Sequence, residues 1–122
     1  MHPPKSRTAR VWITTVTTVL VLGGVSLLPP GVTPQPASPW HVPAYAVAAA
    51  FLLFVWVEPD TGDSARGVGA IAGGLVAFSV LVEVVQGGVH GRTSSAGDVG
   101  LGVLGVGVGA LTWWIAAAAL RR

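Results

Sequence analysis

Cysteine is absent from this 122-residue chain. That excludes a disulfide framework, a zinc ribbon and a thiol nucleophile, and it removes any cysteine marker of redox compartment. Charge is scarce as well: Asp, Glu, Lys and Arg make up 10% of the residues, against roughly 25% in an ordinary soluble domain. With 52% hydrophobic residues and a mean hydropathy of +0.69, the composition excludes a typical soluble globular domain. No nucleophile elbow or P-loop occurs either. A sequence pI near 10.0 would suit a nucleic-acid binder, but Lys5, Arg7, Arg10, Arg121 and Arg122 account for most of the basic residues and sit at the two ends. That is the pattern of membrane-flanking anchors, and no nucleic-acid partner is expected.

What is present is four apolar runs, each near the ~20 residues a helix needs to cross a hydrocarbon core. The first spans 11–28 after a basic tail at 1–10. It is longer than a signal-peptide h-region and meets Pro29-Pro30 in place of a good small-residue cleavage site, which favours a retained helix. A linker over 29–40 carries five prolines, which fix φ and remove backbone donors, so it is expected to be extended and outside the hydrocarbon. The later helices are expected over 41–57, 67–86 and 98–120, joined by a hydrophilic turn at 58–66 and a loop at 87–97, with a basic end at 121–122. The fold class expected is an all-α integral membrane protein with four transmembrane helices. Basic residues at both ends and an even number of crossings place both termini in the cytoplasm of a multi-pass cell-membrane protein. Trp12 and Trp56 then fall at the inner interface, Trp40 at the outer one, and Trp113 and Trp114 toward the inner leaflet.

Away from the termini and the acidic turn, the ionisable groups are His41, Glu83, His90, Arg92 and Asp98, with Tyr45 and Gln86 as polar neighbours. All map to the outer end. Glu83 and Gln86 are about 60° apart on one helix, and His41 and Tyr45, four residues apart, share a face of another. Asp98 opens the last helix, where an N-cap or first-turn carboxylate would sit. Bland readings exist for the others: Arg92 snorkelling to lipid phosphate, His90 solvated in the loop, and His41 anchoring at the interface. Glu83 resists one most, because a charge inside a membrane helix costs at least about 2.5–3.5 kcal/mol and calls for a partner. His41, Glu83, His90 and Asp98 fit no recognised metal-ligand spacing, so neither a metal nor another cofactor is assigned from sequence.

The last helix also carries Gly102, Gly105 and Gly109 within about 40° of the line through Asp98. This nearly bare face, with a GxxxG at Gly105 and Gly109, suits close helix packing or helix-mediated self-association. Ala70, Gly73, Gly74 and Ala77 offer the preceding helix a matching surface.

Glu83-x-x-Gln86, Arg92, Asp98 and the Gly105/Gly109 pair, preceded by His41-x-x-x-Tyr45, resemble in their register the VanZ-like family of small polytopic membrane proteins. The resemblance covers about 40–110. This chain has Ala37 and Ser38 where that family commonly has Asp-Lys, and Gly102 where it commonly has Asn. The resemblance implies a membrane protein whose family namesake is linked to resistance to the glycopeptide teicoplanin, which acts on lipid-linked wall precursors at the outer face.

Two functions follow as expectations. In the first, the outward-facing cluster recognises or modifies an envelope lipid or lipid-linked precursor. Arg92 grips a phosphate through its planar fork, Asp98, Gln86 and Tyr45 complete the binding site, and Glu83 or His41 serves as a general base. In the second, Glu83, Gln86, Arg92 and Asp98 form an internal network that locks helices three and four of a non-enzymatic protein. Whether a reaction is catalysed stays open at this level. A transporter or channel is disfavoured because no ionisable residue falls near mid-membrane.

Overall fold

The computed structural model describes residues 5–26, 38–59, 61–88 and 95–121. These form four α-helices, α1 (Lys5–Ser26), α2 (Ser38–Trp56), α3 (Ser64–Gly87) and α4 (Ala96–Leu120), and no strand occurs among the described residues. The protein is all-helical, as its composition and periodicity predict. Residues 27–37 and 89–94, and with them His90 and Arg92, lie outside the described residues.

The helices begin earlier than the apolar runs. Residues 5–10, expected as a tail, continue α1, because Lys, Arg and Ala are good helix formers and neither Gly nor Pro interrupts them. α2 takes in Ser38, Pro39 and Trp40 from the proline-rich stretch. A first-turn proline costs little, since the N–H it lacks would have no intrahelical acceptor. In α1, Thr15 Oγ1 donates to the Val11 carbonyl and Thr18 Oγ1 to that of Thr14, each at 2.8 Å. Such back-bonding satisfies hydroxyls on an otherwise apolar helix.

Contacts at the helix ends set the topology. Arg7 pairs with Glu58, Trp56 Nε1 donates to Thr15 Oγ1 at 2.6 Å, and Arg121 Nη2 donates to the Pro59 carbonyl at 2.8 Å. The start of α1, the turn after α2 and the end of α4 therefore share one end of the bundle. At the other end, the C-terminal turn of α3 meets the N-termini of α2 and α4 through Glu83, His41 and Ser95. Helices α2 and α4 run parallel, with α1 and α3 antiparallel to them.

The most extensive helix contact is between α2 and α4, and glycine is the reason. A Cβ at Gly105 would lie 2.5 Å from the Val42 carbonyl oxygen and 2.9 Å from Tyr45 Cβ, and one at Gly109 would lie 2.7 Å from Ala49 Cβ. Only a bare backbone permits this approach. The expected glycine face of α4 is present, but its partner is α2. Gly73 and Gly74 of α3 have nothing within 4 Å of a Cβ position, so the matching surface proposed for α3 is not used. Gly102, Gly105 and Gly109 are buried within one chain, and self-association through that face would have to displace α2.

Two apolar clusters fill the interior. Tyr45, Ala48, Ala49, Leu52, Leu75 and Val106 form one; Leu53, Val57, Trp113 and Ala117 form the other. Trp113 is thus a core residue, while Trp114, one position and about 100° further round, is 62% exposed. Trp12 and Trp56 meet edge-to-face with centroids 5.7 Å apart.

Helices α3 and α4 are long and apolar enough to cross a membrane. Their apolar stretches are only 22% and 28% buried inside the protein, and Val84, Leu104 and Val47 are all more than half exposed. The apolar stretch of α2, over Trp40–Trp56, is shorter.

Candidate polar site

The C-terminal end of α3 carries a polar line. Ser79, Glu83 and Gln86, spaced four and then three residues apart, are buried on one face, at 1%, 4% and 4% exposure. This spacing keeps successive side chains over one another on a helix, so the pairing expected for Glu83 and Gln86 holds. Ser79 was not singled out from the sequence. Its place four residues before Glu83 was the available signal, masked because an isolated serine in an apolar helix is unremarkable.

His41 and Tyr45 share a face of α2 as expected. Their rings stack nearly parallel, 7° apart, with centroids separated by 6.1 Å. Tyr45 is 1% exposed. Its hydroxyl is buried with Ser79 as polar neighbour, yet makes no well-formed hydrogen bond among the described residues. Ser79 also bounds Gly102 of α4, where a Cβ would lie 2.6 Å from Ser79 Oγ and 3.6 Å from Tyr45 Cδ2. Any side chain at 102 needs the volume that the Ser79 hydroxyl takes in this chain.

Glu83 joins the three helices. Its Oε2 accepts the backbone N–H of Ser95 at 2.9 Å. Ser95 is itself the N-cap of α4, and its hydroxyl accepts the N–H of Asp98 at 3.3 Å. In a capping box, the third helical residue would reach back to the N-cap N–H. Here Glu83 of α3 takes that N–H, and Asp98 is left as the first-turn carboxylate, its charge favoured by the helix dipole.

The other oxygen, Glu83 Oε1, faces His41 Nε2 at 3.7 Å. That is beyond hydrogen-bond range. Both side chains are largely enclosed, at 10% exposure for His41 and 5% for Glu83. Glu83 Oε1 and His41 Nδ1 are buried and have no hydrogen-bond partner among the described residues. The Asp98 carboxylate completes the group: one ligand atom each from His41, Glu83 and Asp98 lie within 4.8 Å of one another.

Five of the residues picked from the sequence, His41, Tyr45, Glu83, Gln86 and Asp98, thus converge at the junction of α2, α3 and α4. Arg92, the sixth, lies outside the described residues. Chemically the junction offers an imidazole, a phenol, an amide and two carboxylates, several enclosed and one carboxylate oxygen unspent. Such a set can accept hydrogen bonds from a ligand, hold a cation, or take up a proton. No family model, no curated protein and no solved structure matches this chain.

Proposed function

We propose that this is a multi-pass integral membrane protein of VanZ-like type, with cytoplasmic termini, whose polar site faces outward. There it recognises or modifies an envelope lipid or lipid-linked precursor, and so affects glycopeptide susceptibility. The observation that carries this reading is the enclosed junction of His41, Tyr45 and Glu83, where three buried polar atoms make no well-formed hydrogen bond among the described residues. Natural interiors satisfy such groups, and a ligand bearing donors or a cationic group would do so. Two further features support it. The junction lies at the end of the bundle opposite Arg7 and Arg121, where a positive-inside orientation puts the outer face. The apolar flanks of α3 and α4 are turned outward, where lipid would cover them.

In this reading Arg92 holds a phosphate, Asp98, Gln86 and Tyr45 position the headgroup, and Glu83 Oε1 or His41 acts as general base if a reaction follows. Native mass spectrometry of the detergent-solubilised protein tests it. Wild type should retain a phosphate-bearing lipid that Arg92→Ala loses while still folded; identical lipid content in both would remove the site. For orientation, Thr93→Cys in this cysteine-free chain should react with an impermeant maleimide on intact cells, and protection there would invert the topology.

A second reading, the non-enzymatic lock, is favoured by one contact. The Glu83–Ser95 hydrogen bond ties α3 to the start of α4 and needs no ligand. It predicts that Arg92→Ala lowers the yield of folded protein without selective loss of lipid.

A further inference from the structure

We propose that His41, Glu83 and Asp98 form a binding site for one divalent transition-metal cation, of the class represented by Zn2+ and Mn2+. The inference goes beyond the lipid reading and does not depend on it. Three observations carry it. First, the donors are of the right kind: an imidazole with two carboxylates suits zinc or manganese, whereas calcium and magnesium prefer all-oxygen sets. Second, the donors come from three helices and converge in space, with ligand atoms within 4.8 Å of one another. Donors about 2.1 Å from a tetrahedral ion stand roughly 3.4 Å apart. The 3.7 Å between His41 Nε2 and Glu83 Oε1 is close to that spacing and too long for a hydrogen bond.

Third, the enclosed donors are not otherwise occupied. Glu83 is 95% enclosed, yet its Oε1 has no hydrogen-bond partner among the described residues and points toward His41. Its other oxygen is held by the Ser95 N–H, which is how a ligating carboxylate is commonly oriented. Two carboxylates this close repel in a low-dielectric setting, and a dication reverses the sign of that interaction. Sequence spacing is silent on such a set, because a site assembled from three helices needs no local motif. Three protein donors also leave a coordination position open for water or an anionic oxygen, as in zinc sites that act on ligands.

The chain has three histidines, His2, His41 and His90, which makes a clean test available. The full-length, tag-free protein is stripped with chelator in detergent without added lipid, then titrated with ZnCl2 by calorimetry. One Zn2+ per chain is expected, with affinity reduced at least 10-fold in His41→Ala and in Asp98→Asn, and changed less than about twofold in His2→Ala/His90→Ala. In that double variant His41 is the sole histidine, so pulsed EPR of its Mn2+-loaded form should show nitrogen coupling from one imidazole. This readout needs no change at the junction and stands even where His41→Ala misfolds. The absence of stoichiometric binding by folded wild type, full affinity in a folded His41→Ala, or missing nitrogen coupling in the double variant would each overturn the proposal. Loss of lipid retention in Arg92→Ala with Zn2+ binding intact would support both readings and show that they are separable; loss of lipid from Arg92→Ala with no stoichiometric Zn2+ binding by folded wild type would sink the metal and leave the lipid reading standing.

Discussion

The two ends of the bundle handle charge in opposite ways. At the end holding both described termini, Arg7 pairs with Glu58 at side-chain exposures of 47% and 57%, and Arg66 with Asp63 at 90% and 84%. Water solvates these groups whether or not they pair, so each pair is worth about 0–1 kcal/mol. At the other end, Glu83 and His41 face each other almost wholly enclosed, with one carboxylate oxygen unspent. An apolar helix that needed only to pack would have no reason to carry that carboxylate, since burial without compensation is expensive. Scarce charge kept where it costs most marks the end where a ligand or cation is to be sought.

Breaking the packing that closes the polar end should have the largest effect. Gly105→Val places a side chain against the Val42 carbonyl and Tyr45 and is expected to destabilise by about 3 kcal/mol, the upper part of the overpacking range, read as a lowered thermal midpoint in detergent. Gly73→Ala, with open space around it, should be neutral or stabilising by about 0.5–1 kcal/mol. If both behave alike, the α2–α4 approach is not what holds this end together.

Next comes Glu83. Glu83→Ala leaves the Ser95 N–H without its acceptor and should cost about 1–3 kcal/mol. Glu83→Gln keeps an acceptor oxygen and should cost at most about 1 kcal/mol, measured in the same denaturation series. Equal losses would mean that the negative charge, and not the hydrogen bond, matters there.

Tyr45→Phe removes a buried hydroxyl that makes no well-formed bond. It should shift stability by less than about 1 kcal/mol in either direction, and, on the proposed function, weaken any lipid retention measured by native mass spectrometry. Smallest of all, Arg7→Ala at the opposite end should stay within about 1 kcal/mol of wild type and lose even that difference in high salt. A large, salt-insensitive loss would erase the contrast between the ends.

Much of this was legible beforehand, for reasons particular residues make plain. The four helices follow from apolar run length, and the pairs His41/Tyr45 and Glu83/Gln86 from helical periodicity, which fixes what shares a face. Asp98 as a first-turn carboxylate followed from its place at a helix start. The partner of the glycine face did not. Gly102, Gly105 and Gly109 signal close approach without saying by what, and α2, with Ala46, Ala49 and Ala50, was chosen over α3. Trp113 and Trp114 are equally apolar in sequence; only rotation about the helix buries one and exposes the other. Ser79 was overlooked because its importance comes from Tyr45 and Gly102, both distant in the chain.

By itself the sequence determined what is local and periodic: an all-helical chain, the order and approximate place of its helices, which residues lie together on each, and the gathering of its few interior charges toward one end. The tertiary structure decided what no local rule encodes. It paired α4 with α2, gave the Ser95 N–H to Glu83 in place of Asp98, and brought His41, Glu83 and Asp98 within 4.8 Å. Periodicity acts over a few residues along one backbone, whereas these contacts join atoms as far apart in sequence as Val42 and Gly105, which only the packing of whole helices can bring together.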